Sequence, residues 1–190
     1  CSPPFQAEVT GRSVSVFEDN LHDEKPHVSQ PLLGKQGKIV SGGQTGVDRG
    51  ALDAAMALGI AHGGWCPLGR KAEDGVIPDR YHLRETDSPD YAVRTEKNVI
   101  DADATLILCR GELTGGTLLT KRMAKQHGKP LLVVDPYDDS AAEQIRAWLA
   151  ENSFAILNIA GPRESGEQGI EHQTYSLLKA VLEAALSPKR

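Results

Sequence analysis

From Lys38 onward, short apolar runs alternate with longer segments in which apolar residues recur every three to four positions. Residues 38–41, 60–62, 104–109, 130–134 and 154–159 have the length and apolar density of strands. The intervening stripes read as helices. Val47, Ala51, Ala54, Ala55 and Leu58 follow an i, i+4, i+7, i+8, i+11 spacing, and their small size predicts a helix packed closely on a sheet. A second helix is expected from 91 to about 102, capped by Asp90 or Ser88, and a third opens at Gly115-Gly116-Thr117. Ala141, Ala142, Ile145, Trp148 and Leu149 mark a fourth. Ile170, Leu177, Leu178, Val181, Leu182 and Leu186 mark a fifth. Strand–helix alternation of this kind predicts an α/β fold: a doubly wound parallel sheet with right-handed crossovers and helices on both faces, in three α/β/α layers.

Two stretches fall outside that rhythm. Residues 63–81, GGWCPLGRKAEDGVIPDRY, are punctuated by Gly and Pro and read as a long loop. Residues 1–36, rich in Pro, His and acidic side chains, show no sustained period; they read as a flexible N-terminal extension before a ligand-binding domain spanning 37–190. A chain of 190 residues with 39% apolar and 25% charged content suits one ordinary globular domain. A net charge of −5 disfavours nucleic acid and membrane surfaces as bulk partners. Cys1, Cys66 and Cys109 are too scattered for a disulfide framework or a zinc site, and the usage fits a reducing cytoplasm.

The chemistry begins at SGGQTGVDRGALDAA, residues 41–55. A strand, a glycine turn and a helix start bring backbone N–H groups and a positive helix end to one point, a setting suited to an anion and most often a phosphate. It is not a Walker A loop, because it closes with Gly46-Val47-Asp48-Arg49 rather than Gly-Lys-Ser/Thr. Nor does Gly42-Gly43-Gln44-Thr45-Gly46 have the dinucleotide spacing, and no carboxylate follows near His62 to hold a ribose.

In doubly wound sheets ligands bind beyond the carboxyl ends of the strands, and here those connections are polar and glycine-rich. The first supplies Gly42, Gly43, Gln44, Thr45, Gly46, Asp48 and Arg49; the second supplies Cys66, Arg70, Lys71, Glu73 and Asp74. The connection 110–117 supplies Arg110, Thr114, Gly115, Gly116 and Thr117, and 160–165 supplies Arg163 and Ser165. Arg94, Thr95 and Asn98 lie at helical spacing beside them. Each has a plainer reading. The glycines can serve tight turns, the arginines can be solvated charges, and Asn98 a polar helix face. Asp48 either complements the helix start or accepts N–H bonds from a heterocycle. Cys109, at the end of an apolar strand, reads as buried filler, and Cys66 as structural.

The motifs GGQTGVDRGALDAA, GGWCPLGRKAEDGVIPDRY, RTEKNV, LTGGTLLT and NIAGPRES together resemble the molybdenum cofactor carrier family, related to the lysine-decarboxylase-like, LOG-type proteins. The resemblance covers about residues 37–186. It implies a Rossmann-like sheet, a homo-oligomer, and a phosphorylated ligand held across both glycine turns. For the carrier branch that ligand is the molybdenum cofactor, a pterin with a dithiolene and a terminal phosphate, passed on to apo-molybdoenzymes. The wider relatives include hydrolases of nucleoside monophosphates whose second motif carries a glutamate. Here Thr114-Gly115-Gly116-Thr117-Leu118-Leu119-Thr120 keeps the turn, with Thr120 where the glutamate is expected. Threonine is no general base at neutral pH, so the resemblance leans away from an enzyme and assigns no catalytic residue.

Overall fold

The computed structural model describes residues 33–186. Five strands form one fully parallel sheet: β1 (Leu33–Val40), β2 (Ala61–Gly63), β7 (Ala104–Leu108), β8 (Leu131–Val134) and β9 (Phe154–Ala160), in the spatial order β2-β1-β9-β7-β8. Their connections carry α1 (Val47–Ala57), α2 (Tyr91–Asp101), α3 (Gly115–Gln126), α4 (Ala141–Glu151) and α5 (Ile170–Leu186). The expected three-layer α/β/α arrangement is therefore present. Asp90 is the cap of α2, accepting a 2.9 Å bond from the Ala92 N–H. Among the described residues no helix is long and apolar enough to cross a membrane.

β9 is the last strand in sequence yet lies at the centre. It pairs with β1 through Lys38 opposite Ile156 and Ile39 opposite Leu157, and with β7 through Ala104 opposite Leu157 and Leu106 opposite Ile159. If the β9–α5 unit preceded β1, the same sheet would read 3-2-1-4-5, the first five strands of the dinucleotide-binding order. The chain thus has that architecture with its first unit moved to the end.

Alternation along the strands gives the two faces different chemistry. Ile39, Leu106, Leu108, Leu157 and Ile159 face a continuous apolar core closed by Ala51, Ala54, Ala55, Ile145, Leu149, Leu178, Val181 and Leu182 from α1, α4 and α5. Gly50 lets α1 and α5 approach: a Cβ there would lie 2.9 Å from the Thr174 Cβ. On the other face Thr105 and Asn158 alternate with Ile107 and Ala160, and the Asn158 amide donates to the Thr105 hydroxyl over 3.3 Å. α2 and α3, which pack on one another, add buried Thr95, Asn98, Thr117 and Thr120.

Two expectations need revision. β1 begins at Leu33, five residues ahead of the expected strand start at Lys38, with a register irregularity before Lys38; residues 1–32, most of the expected extension, lie outside the described residues. The stretch 63–81 is not a plain loop. β3 (Trp65–Cys66) pairs in parallel with β6 (Arg84–Glu85), and β4 (Lys71–Ala72) pairs antiparallel with β5 (Gly75–Val76). Two-residue strands are too short to show a period. Their stability comes from a second apolar cluster of Leu52, Cys66, Ala72, Ile77, Tyr81 and Leu83, anchored by α1.

Candidate functional site

A cavity of about 400 Å³ opens where the strand order reverses, beyond the carboxyl ends of β7 and β9. Cys109, Ala160 and Gly161 line it at the strand ends, α2 contributes Tyr91, Arg94 and Thr95, and α3 contributes Gly115 to Thr117. Gln44 and Asp48 enter from the first turn. The connections after β7 and β9 add Arg110, Glu112, Arg163 and Glu167 to the lining. The volume suits a small organic ligand.

The turn before α3 is open. Thr114 caps the helix in an extended conformation, and its side chain makes no capping bond. The N–H of Leu118 returns to the Thr114 carbonyl at 3.1 Å, whereas those of Gly115, Gly116 and Thr117 have no partner among the described residues. A Cβ built on Gly115 or Gly116 would meet nothing within 4 Å. With no acidic side chain in the first turn of α3, the three N–H groups and the positive helix end at the cavity lining form an arrangement that can receive an anion.

In the turn before α1 four successive N–H groups are taken by the protein itself. The Gln44 N–H donates to Asp48 Oδ2 at 3.2 Å, that of Thr45 to Gln44 Oε1 at 3.1 Å, and that of Gly46 to Glu171 Oε2 at 2.9 Å. The Val47 N–H donates to the Pro162 carbonyl at 3.2 Å. Gly46 sits at φ 82°, and a Cβ there would lie 2.7 Å from the Glu164 nitrogen. The Arg94 guanidinium fills the space beside Gly42 and pairs with Asp48 at 3.3 Å. Burial pushes the Asp48 carboxyl above its usual range, opposed by Arg94.

The hairpin of β4 and β5 latches onto the same turn. Arg49 forks onto Asp74 at 2.5 and 2.7 Å and donates through Nε to the Gly43 carbonyl at 3.1 Å. Glu73 accepts from the Thr45 and Ser165 hydroxyls and from the Ser165 N–H at 3.2 Å. The Ser165 and Thr45 bonds hold its carboxyl below the usual range.

Of the candidate residues, Gln44, Asp48, Arg94, Arg110, Thr114, Gly115, Gly116, Thr117 and Arg163 come together around the cavity. Gly42, Gly43, Thr45, Gly46, Arg49 and Asp74 build the scaffold behind it. Arg70, at φ 50°, points its guanidinium to the carbonyls of Ile77, Leu83, Pro78 and Tyr81 and staples the short-strand region. Lys71 is exposed on β4. Asn98 clamps Trp65, accepting its N–H at 2.7 Å and donating to its carbonyl at 3.0 Å. Thr120 returns its hydroxyl to the Gly116 carbonyl at 3.0 Å.

Cys109, read as filler, is buried but lines the cavity, and burial raises its thiol pKa. Burial, then the nearby Asp135, raises the pKa of Glu167, a lining residue that sequence reasoning passed over. Tyr91 was also missed. It stands at i, with Arg94, Thr95 and Asn98 at i+3, i+4 and i+7, so the stripe that singled out those three already contained it.

The sheet order, with its central strand supplied last, and the sequence agree on relationship. Residues 39–182 match the circularly permutated YpsA SLOG family. The chain belongs to that family. The crystal structure of a "putative molybdenum carrier protein" from Syntrophus aciditrophicus SB is 45% identical to it, with a TM-score of 0.76, over 80% of this chain and 97% of that one. No curated protein matches the chain significantly. Every residue lining the cavity of this SLOG-family chain falls within the matched range.

Proposed function

We propose that this chain binds the molybdenum cofactor as cargo, shields its dithiolene from oxidation, and passes it to apo-molybdoenzymes in the cytoplasm, acting as a homo-oligomer. The observation that supports a phosphorylated ligand is the open turn at Gly115–Thr117. Kinship with the Syntrophus structure supports the cofactor as that ligand. The terminal phosphate takes the three free N–H groups, and Arg110 and Arg163 neutralise it at about 1.5–3 kcal/mol per charge-assisted bond. Asp48 meets the N–H edge of the pterin. Among the described residues no group of three or more His, Cys, Asp or Glu could hold a metal ion; in this proposal the metal is carried by its pterin.

A second reading is hydrolysis of a nucleoside monophosphate. Its support is that Glu112 and Glu167 line the cavity, while Thr120 offers no carboxylate. One experiment separates the two. Gently purified protein is analysed for retained ligand by mass spectrometry and metal content, then titrated with molybdenum cofactor and with AMP. The carrier reading expects stoichiometric cofactor with intact molybdenum and no base released from AMP. Cleavage of AMP with indifference to the cofactor would replace it with the hydrolase.

A further inference from the structure

We infer that Tyr91 is the stacking platform for a planar heteroaromatic ligand bearing an anionic group, and that Arg163 covers its ring until that ligand enters. Tyr91 is the first residue of α2, only partly buried, and the aromatic residue in the cavity lining. Two guanidiniums lie over its ring: Arg163 at 5.1 Å from the centroid and Arg94 at 5.9 Å. They differ in what else they do. Arg94 is committed to the buried carboxylate of Asp48. Arg163 comes from the connection after β9, is exposed, and forms no salt bridge among the described residues. An anion seated on the open turn of α3 draws Arg163 away, because a charge-assisted hydrogen bond outweighs an exposed cation–π contact. The uncovered ring face then receives the flat heterocycle. The backbone beneath is fixed, since the Thr95 hydroxyl donates to the Tyr91 carbonyl at 2.8 Å. Sugar phosphates and inorganic anions can use the seat, but they gain nothing from the ring.

This inference rests on the proposed ligand-binding cavity and is tested so that the two can fail separately. Dissociation constants for molybdenum cofactor, AMP and inorganic phosphate are measured on the wild type, Tyr91→Phe and Tyr91→Leu, with thermal melting as a control. Stacking predicts that Tyr91→Leu weakens the wild type's preferred planar ligand about tenfold or more. Inorganic phosphate is unaffected, Tyr91→Phe restores binding to within about threefold, and the melting point holds. If the wild type prefers AMP, the same pattern with AMP sustains the platform while the carrier reading falls. Equal losses for phosphate and planar ligand, unchanged binding in Tyr91→Leu, or no planar ligand bound by the wild type would each overturn it.

Discussion

The two glycine turns look alike in sequence and differ in what their glycines make room for. Before α1, the missing side chains admit other parts of the protein: the Arg94 guanidinium beside Gly42 and the 162–164 backbone beside Gly46. The N–H groups of the four residues from Gln44 to Val47 are already spent on Asp48, Gln44, Glu171 and Pro162. Before α3, the space beside Gly115 and Gly116 is empty and the N–H groups are free. The first turn therefore sets the stability and electrostatics of the cavity, and the second is the one left open to an anion. A glycine turn at a helix start is a potential anion site only where no side chain of the protein has taken the anion's place.

Substitution at the first turn should cost folding rather than binding alone. Gly46→Ala forces a side chain into a backbone conformation and a contact that neither Pro162 nor Glu164 can relieve. It should lose about 4 kcal/mol or more, read by urea denaturation. Arg94→Met removes the partner of a buried carboxylate and should lose about 3 kcal/mol, whereas the double variant Asp48→Leu with Arg94→Met should recover most of it. Retention of full stability by either single variant would mean that the first turn is not the structural one.

A smaller effect appears in the pH dependence. Folding raises the Asp48 pKa, so its contribution is full below the ordinary 3.8 and is lost as pH rises through the folded value. Folding lowers the Glu73 pKa, so its contribution is present above the ordinary 4.5 and is lost as pH falls through the folded value. From acid towards neutral pH, Asp48→Asn should therefore gain stability relative to wild type, while Glu73→Gln loses ground. Denaturation midpoints at a series of pH values read both slopes, and matching slopes would contradict the assignment. The least effect is expected from Asp74→Asn: its carboxylate is half exposed, and breaking the fork to Arg49 should cost about 1 kcal/mol or less in the same assay.

The layered fold was legible because it depends on local periodicity. The alanine stripe from Ala51 to Ala55 and the apolar run of β7 leave little choice of element. The position of β9 between β1 and β7 was not, since nothing in strand spacing says which strands pair. The site divides in the same way. Gly115 and Gly116 reveal themselves as glycines at a helix start. That the N–H of Gly46, the N-cap of α1, is occupied depends on Glu171, 125 residues away in sequence. Arg70 was grouped with ligand-facing arginines because charge is visible in a sequence, whereas its four carbonyl partners appear only when the short strands fold back. Tyr91 was legible in principle but looked like an ordinary helix residue among polar neighbours.

The division of labour between the turns is tested most directly by Gly116→Val, assayed for molybdenum cofactor affinity and thermal melting together. The side chain enters open space at an unstrained position, so the melting temperature should stay within about 3 °C of wild type. It also crowds the three N–H groups to which the proposed function assigns the phosphate, so affinity should fall by roughly a hundredfold. Wild-type affinity in a folded Gly116→Val protein would contradict the account and move the anion seat elsewhere in the cavity.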